Sequence, residues 1–177
     1  MKTLLEIAKP LQTDKFSNHS YSEVYESLFG PRRYQPVCLL EIGVGTGDCL
    51  KMWTEYFPEG EVWGCDIDRK SLGGRFRQLD SIDKAAVETA FGAVQFDIIL
   101  DDGNHDLRYQ LGTYENFRSH LASGGIYVVE DVAGPMTAME QFRQIEPKRS
   151  VTAIDLRAMK DRWDDALIVI EDKPCTS

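Results

Sequence analysis

The sequence predicts an α/β domain: a doubly wound, mostly parallel sheet of seven strands, ending in an antiparallel hairpin. Three observations carry this. Short apolar runs recur along the chain with amphipathic, helix-length spacers between them, which is the signature of repeated βα units. The first run, VCLL at 37–40, passes through Glu41 into a turn with glycines at 43, 45 and 47, and a helical pattern (Cys49, Leu50, Trp53, Phe57) follows at once. That is a strand feeding a ligand loop, since glycine serves where backbone takes positive φ or approaches a bound molecule. Acids then stand at or just beyond the ends of the predicted parallel strands: Glu41, Asp66 with Asp68, Asp80, Asp101 with Asp102, and Glu130 with Asp131. In an open parallel sheet those ends share one edge, where ligands bind.

In chain order, residues 3–8 read as a short helix stopped by Pro10, and a polar loop follows with Thr13, Asp14, Lys15, His19 and Tyr21. A second helix at 22–29 has Val24, Tyr25, Leu28 and Phe29 as its apolar stripe and Gly30-Pro31 as its stop. Residues 1–35 are thus an N-terminal helical segment expected to cover the ligand edge, and 36–177 the ligand-binding part of a single domain. Further strands are predicted at 61–67 (EVWGCDI), 74–79, 96–100 (FDIIL) and 125–129 (GIYVV), with helices at 48–57, 83–91, 107–122 and 135–145. His120, late in the 107–122 helix, reads as solvated. Residues 150–154 and 166–170 are strands without a good helix between them, which predicts the closing hairpin. Their charged connection, 156–165 with Trp163, is a candidate substrate lid.

Composition narrows the class of function. A chain of 177 residues buries roughly 70% of its unfolded surface as one domain. Its four cysteines form no CxxC pair, and three lie in or beside apolar runs, as expected for reduced thiols of a cytoplasmic protein. No signal peptide is evident, and no apolar run approaches the roughly 20 residues of a membrane span. The net charge of −9 argues against nucleic-acid or anionic-membrane partners. It leaves room for a small neutral or cationic ligand, with a homo-oligomer possible.

The glycine loop favours one cofactor class over another. A dinucleotide fingerprint needs Gly-x-Gly-x-x-Gly, but counting from Gly43 and Gly45 puts Asp48 at the third glycine. Asp48 reads as a helix N-cap, and with Glu41 it makes a poor neighbour for pyrophosphate. Both acids suit a ligand with a cationic end, such as S-adenosylmethionine. Asp66, about twenty residues on, is placed to accept ribose hydroxyls, Asp80 to bond the adenine amine, and Asp101 joins these cofactor contacts.

Crowded acids also need a counter-charge. Three carboxylates about 5 Å apart at an effective dielectric near 20 repel by roughly 3 kcal/mol per pair, so either some are protonated or a cation sits among them. Asp102, Glu130 and Asp131 make an all-oxygen set suited to Mg²⁺ or another divalent cation, with N-capping of the following helices the competing explanation. His105, just past the sharp turn that Gly103 permits, could act as a general base toward a substrate hydroxyl. His19 and Tyr21 divide evenly between a capping loop and a substrate-side role.

The segments TDK…HSY, LLEIGVGTG, W…YFP, VWGCDID, FDIILDDGNH and GGIYVVEDV, in order from about residue 13 to 135, resemble a known family. It comprises the metal-dependent class I S-adenosylmethionine O-methyltransferases of macrolide and rhamnosyl sugars, with the cephalosporin-biosynthesis methyltransferase-like proteins. The resemblance implies that Asp102, Glu130 and Asp131 hold Mg²⁺, that His105 is the base and that Glu41, Gly43, Asp66 and Asp80 contact the cofactor. It also implies a hydroxyl acceptor, a vicinal diol of a sugar or natural product. Two departures stand out: Asn104 replaces the usual Ser, and little precedes the TDK motif where the macrolide enzymes carry a further N-terminal domain. A non-catalytic S-adenosylmethionine-binding subunit of a biosynthetic complex is the competing reading, and a nicotinamide oxidoreductase is disfavoured by Asp48 and Glu41.

Overall fold

The computed structural model describes residues 2–11, 13–68 and 72–173; Cys175 lies outside them. Its seven strands are β1 (Cys38–Ile42), β2 (Glu61–Asp66), β3 (Phe76–Gln78), β4 (Phe96–Asp101), β5 (Leu121–Val129), β6 (Arg149–Asp155) and β7 (Ala166–Asp172). They form one sheet in the order β3-β2-β1-β4-β5-β7-β6. The first five pair in parallel, and β7 runs antiparallel to both β5 and β6. The chain winds outward from β1 to β3, then crosses back to β4 on the other side. The loops after β1 and β4 therefore diverge, and this switch point opens a crevice.

The period-two alternation of the strands divides the core into two layers. Leu40, Ile42, Ile99, Tyr127 and Val129 face helices α5 (Lys84–Phe91), α6 (Leu107–Phe117) and α7 (Pro135–Ile145), which add Val87, Phe91, Tyr114, Phe117 and Phe142. Leu39, Ile98, Leu100, Ile126 and Val128 face α1 (Leu4–Ala8), α3 (Ser22–Phe29) and α4 (Asp48–Tyr56). Trp53 of α4 anchors this second layer, packing its edge against Tyr25 and Phe29 at ring separations of 5.5 and 5.8 Å.

Four local features differ from the sequence expectation. The polar loop contains a one-turn helix, α2 (Asp14–Ser17), whose first turn is held by Thr13 accepting the Lys15 amide. The helix expected at 107–122 ends at Phe117, and after a 3-10 turn β5 begins at Leu121. Gly124, at φ +73°, takes up the irregularity in the β4–β5 register, and β5 runs on through it. His120 is consequently buried, with Nδ1 3.1 Å from the Val94 carbonyl oxygen. Gly47, at φ +84°, takes the N-cap position of α4, and Asp48 is its first helical residue, ion-paired with Lys51 at 2.7 Å. The connection 156–165 forms another one-turn helix, α8 (Arg157–Lys160). No helix among the described residues is long and apolar enough to cross a membrane.

Candidate functional site

The loops after β1, β2 and β4 enclose a cavity of about 850 Å³, within the range of small-ligand sites. Gly43, at φ +83°, lies against the loop after β4, and a Cβ there would stand 2.1 Å from the Asp102 carbonyl oxygen. Gly45, at φ +50°, has open space on that side, and its N–H donates to Asp66 Oδ2 at 3.2 Å. The other oxygen of Asp66 accepts the Asp68 amide at 2.9 Å. Asp80 accepts the Ile82 amide at 3.2 Å and lines the cavity with Asp66, over an apolar floor of Ile42, Cys65 and Leu79. Asp102 and His105 also border it.

Glu41 and Asp101, expected as cofactor contacts, do not border the cavity. Strand alternation turns Glu41 to the side of Leu39 and Asp101 to the side of Ile99. Asp101 is buried, accepting from the Gly103 amide and the Tyr127 hydroxyl, each at 3.3 Å. It braces the turn at 101–105, and burial pushes its carboxyl up to about 7.

Glu41 belongs to an ionic cluster that the sequence reading missed. Lys15 Nζ lies 3.1 Å from Glu41 Oε1, 2.7 Å from Asp102 Oδ2 and 2.7 Å from Glu130 Oε1, with its own side chain 1% exposed. Burial pulls the lysine's pKa down, but Asp102, Glu130 and Glu41 more than offset this and hold it well above its ordinary value. Burial also raises Glu130 well above the carboxylate range, whereas Lys15 and His105 overcome burial and hold Asp102 below it. The demand for a cation among crowded acids was the available signal; that a lysine partly meets it was not foreseen. Of the three expected metal ligands, Asp102 and Glu130 both meet Lys15 and with Glu41 form one donor group, while Asp131 joins Asp102 through His105 in a second.

In that second group His105 bridges two carboxylates, with Nε2 3.5 Å from Asp102 Oδ1 and Nδ1 3.4 Å from Asp131 Oδ2. One donor atom from each of Asp102, His105 and Asp131 lies within 4.8 Å of the others, an oxygen-rich set that fits a hard divalent cation. The hydrogen bond with Asp102 and the charges of Asp131 and Asp102 outweigh burial and raise the His105 pKa. Asp131 adopts φ +55°, a strained conformation for a residue other than glycine. Tyr21 holds it there, donating its hydroxyl to Asp131 Oδ1 at 2.7 Å and accepting the Asp131 amide at 3.2 Å.

His19 stacks on Tyr21 at 4.8 Å and sits 3.3 Å from Asp131 and 3.5 Å from Asp165. Both His19 and Tyr21 are buried, so they back the acid cluster and cannot act as an exposed lid. Trp163, by contrast, is 67% exposed. Its connection is tied to the N-terminal loop, since Lys160 Nζ donates to the carbonyls of Phe16 and His19 at 2.7 and 2.5 Å and Asp165 accepts the Ser20 amide at 3.0 Å.

No protein-family model matches the chain. It is 36% identical over 132 residues to an 8-demethyl-8-α-L-rhamnosyl tetracenomycin-C 2′-O-methyltransferase of Streptomyces olivaceus, covering 68% of this chain and 35% of that protein. It is 32% identical over 146 residues to the mycinamicin VI 2″-O-methyltransferase of Micromonospora griseorubida, covering 73% and 36%. The chain thus spans about a third of the length of the curated relatives it matches. Among solved structures, the MycE methyltransferase of the mycinamycin biosynthetic pathway, in complex with Mg and SAH, superimposes with a TM-score of 0.80 at 25% identity. That match covers 97% of this chain and 55% of the other.

Proposed function

We propose that this chain, which has the class I methyltransferase fold and relatives among the sugar O-methyltransferases, is an S-adenosylmethionine- and Mg²⁺-dependent O-methyltransferase. Its acceptor is a hydroxyl of a vicinal diol on a sugar or related natural product. One observation carries the reading: a single cavity joins the glycine loop and Asp66 to Asp102 and His105. When bound, the cofactor supplies an electrophilic methyl group and the divalent cation lowers the pKa of the acceptor hydroxyl.

The chain's own residues do the remaining work. Gly43 and Gly45 let the backbone approach the cofactor, while Asp66 accepts its ribose hydroxyls and Asp80 its adenine amine. Asp102, Glu130 and Asp131 are the acids that would hold the cation. His105, 40% exposed at the cavity wall, takes the hydroxyl proton at a ring nitrogen. Asp102 and Asp131 favour the imidazolium form of His105; the charge of a divalent cation held by these acids would offset that attraction and favour the neutral base. The loop at 13–21 covers the acidic edge, and the 156–165 connection with Trp163 borders the acceptor. The net charge of −9 suits a small molecule over nucleic acid, and free Cys38, Cys49 and Cys65 fit a reducing cytoplasm.

The test is calorimetric titration of the purified protein with S-adenosylmethionine in Mg²⁺ and in EDTA, then a methyl-transfer screen over rhamnosides and other vicinal-diol glycosides. Cofactor binding with Mg²⁺-dependent transfer supports the reading. Cofactor binding without transfer to any glycoside favours the non-catalytic subunit.

A further inference from the structure

The far end of the cavity stands on the least supported part of the sheet. β3, at the sheet edge, pairs with β2 through Phe76, Arg77 and Gln78 alone, and the loop that follows it lines the cavity with Asp80, Ser81 and Ile82. So short an edge strand gives a following loop little rigidity. The support comes from α6. Tyr109, Gly112, Thr113 and Asn116 share one face of that helix by their spacing, and that face meets the loop. Thr113 Oγ1 lies 2.9 Å from Ser81 Oγ, and Asn116 Nδ2 donates to the Ser81 carbonyl at 3.0 Å. Gly112 leaves room for Ile82, whose Cγ2 would lie 3.4 Å from a Cβ there. Thr113 is buried, and Tyr109 lines the cavity with Ile82. The same helix starts from its N-cap Asp106, directly after His105. One rigid element thus carries the turn with the base and braces the Asp80 loop.

We propose that Thr113 and Asn116 are positioning residues that fix Asp80 against the exocyclic amine of the cofactor's base, so that α6 sets the preference for adenine. Neither residue lines the cavity; each acts through Ser81. A carboxylate accepts a hydrogen bond from an amine and repels a carbonyl oxygen at the same place. Such discrimination needs the carboxylate held, because a loop free to shift lets it turn to water instead. The Ile82 amide, donating to Asp80 Oδ1 at 3.2 Å, orients the carboxylate within the loop, while Thr113 and Asn116 hold the loop to the helix. This inference rests on the S-adenosylmethionine reading above and adds the residues outside the cavity that determine base selectivity.

The experiment is calorimetric titration of the full chain with S-adenosylhomocysteine and with S-inosylhomocysteine, in which a carbonyl oxygen replaces the exocyclic amine. Circular dichroism checks folding. The parent is expected to bind the adenine form at least about tenfold more tightly. Thr113→Val and Asn116→Leu keep side-chain size and remove the hydrogen bonds. Each should weaken the adenine form by about tenfold, the order of one such bond, and leave the inosine form within about twofold. Thr113→Ser, which restores the hydroxyl, should keep the parent's preference. If Thr113→Val does not fold, Asn116→Leu, at a half-buried helix position, decides the matter. Folded variants that weaken both ligands equally, or neither, overturn the proposal and leave the cofactor reading intact. A parent that binds the two ligands without preference for adenine overturns the role of Asp80 and this proposal; a parent that binds neither overturns the cofactor reading as well.

Discussion

At the scale of single residues, His105 has the position and chemistry of a base. His105→Ala should lower turnover by about 10²- to 10⁴-fold while the S-adenosylmethionine dissociation constant stays within a few-fold. Steady-state rates and calorimetry separate the two effects, and an unchanged turnover would remove His105 from the chemistry. Gly43→Ala makes a different prediction. A Cβ at Gly43 would lie 2.1 Å from the Asp102 carbonyl oxygen, and the backbone is left-handed there, so the strain alone costs about 1–3 kcal/mol. The variant should melt at lower temperature and lose cofactor binding; an unaltered melt would show that the two loops do not touch as described.

Residue by residue, legibility followed from distance in sequence. Asp66, Asp80, Asp102 and His105 reach one cavity because each stands at or just past a strand end, and strand ends share an edge. Glu41 and Asp101 were misassigned because a strand's last residues alternate faces, and one position decides whether a carboxylate meets the cavity or the interior. Lys15 was invisible in its role because its partners Asp102 and Glu130 lie 87 and 115 residues away. No local pattern encodes such a contact.

At the scale of elements, the β6–β7 connection and the N-terminal loop act together. Lys160 gathers the carbonyls of Phe16, Ser17 and His19, and Asp165 takes the Ser20 amide. Lys160→Met should therefore raise amide hydrogen exchange across residues 13–21 while β1 and β4 keep their protection. Equal protection in variant and parent would show that the loop is held from elsewhere. The regular elements were legible because their periodicity is local: α3, α7 and the closing hairpin fall close to where the pattern placed them. The one-turn helices α2 and α8 were not, since four residues carry too little periodicity. The glycine pair at 124–125 reads as punctuation although β5 runs through it.

For the molecule as a whole, the two apolar layers provide the rigid support on which a strained Asp131 and an enclosed ammonium can persist. Trp53→Ala removes the side chain that joins α3 and α4 to the sheet and should cost about 3–5 kcal/mol, read as a lowered denaturation midpoint. A loss under about 1 kcal/mol would show that the aromatic cluster is not a principal support of this layer. The seven-stranded order with its switch point between β1 and β4 brings the acid-bearing ends of five strands to one edge. That convergence, more than any single motif, links the fold to the proposed chemistry.

The most direct measurement is methyl transfer from S-adenosylmethionine to a vicinal-diol glycoside by the purified protein, assayed with Mg²⁺, with EDTA, and with Mg²⁺ restored after EDTA. Turnover is expected in Mg²⁺, with its loss in EDTA and its recovery when Mg²⁺ returns. Turnover undiminished by EDTA would contradict it, because the acids at the strand ends would then serve the fold and not a metal-dependent reaction.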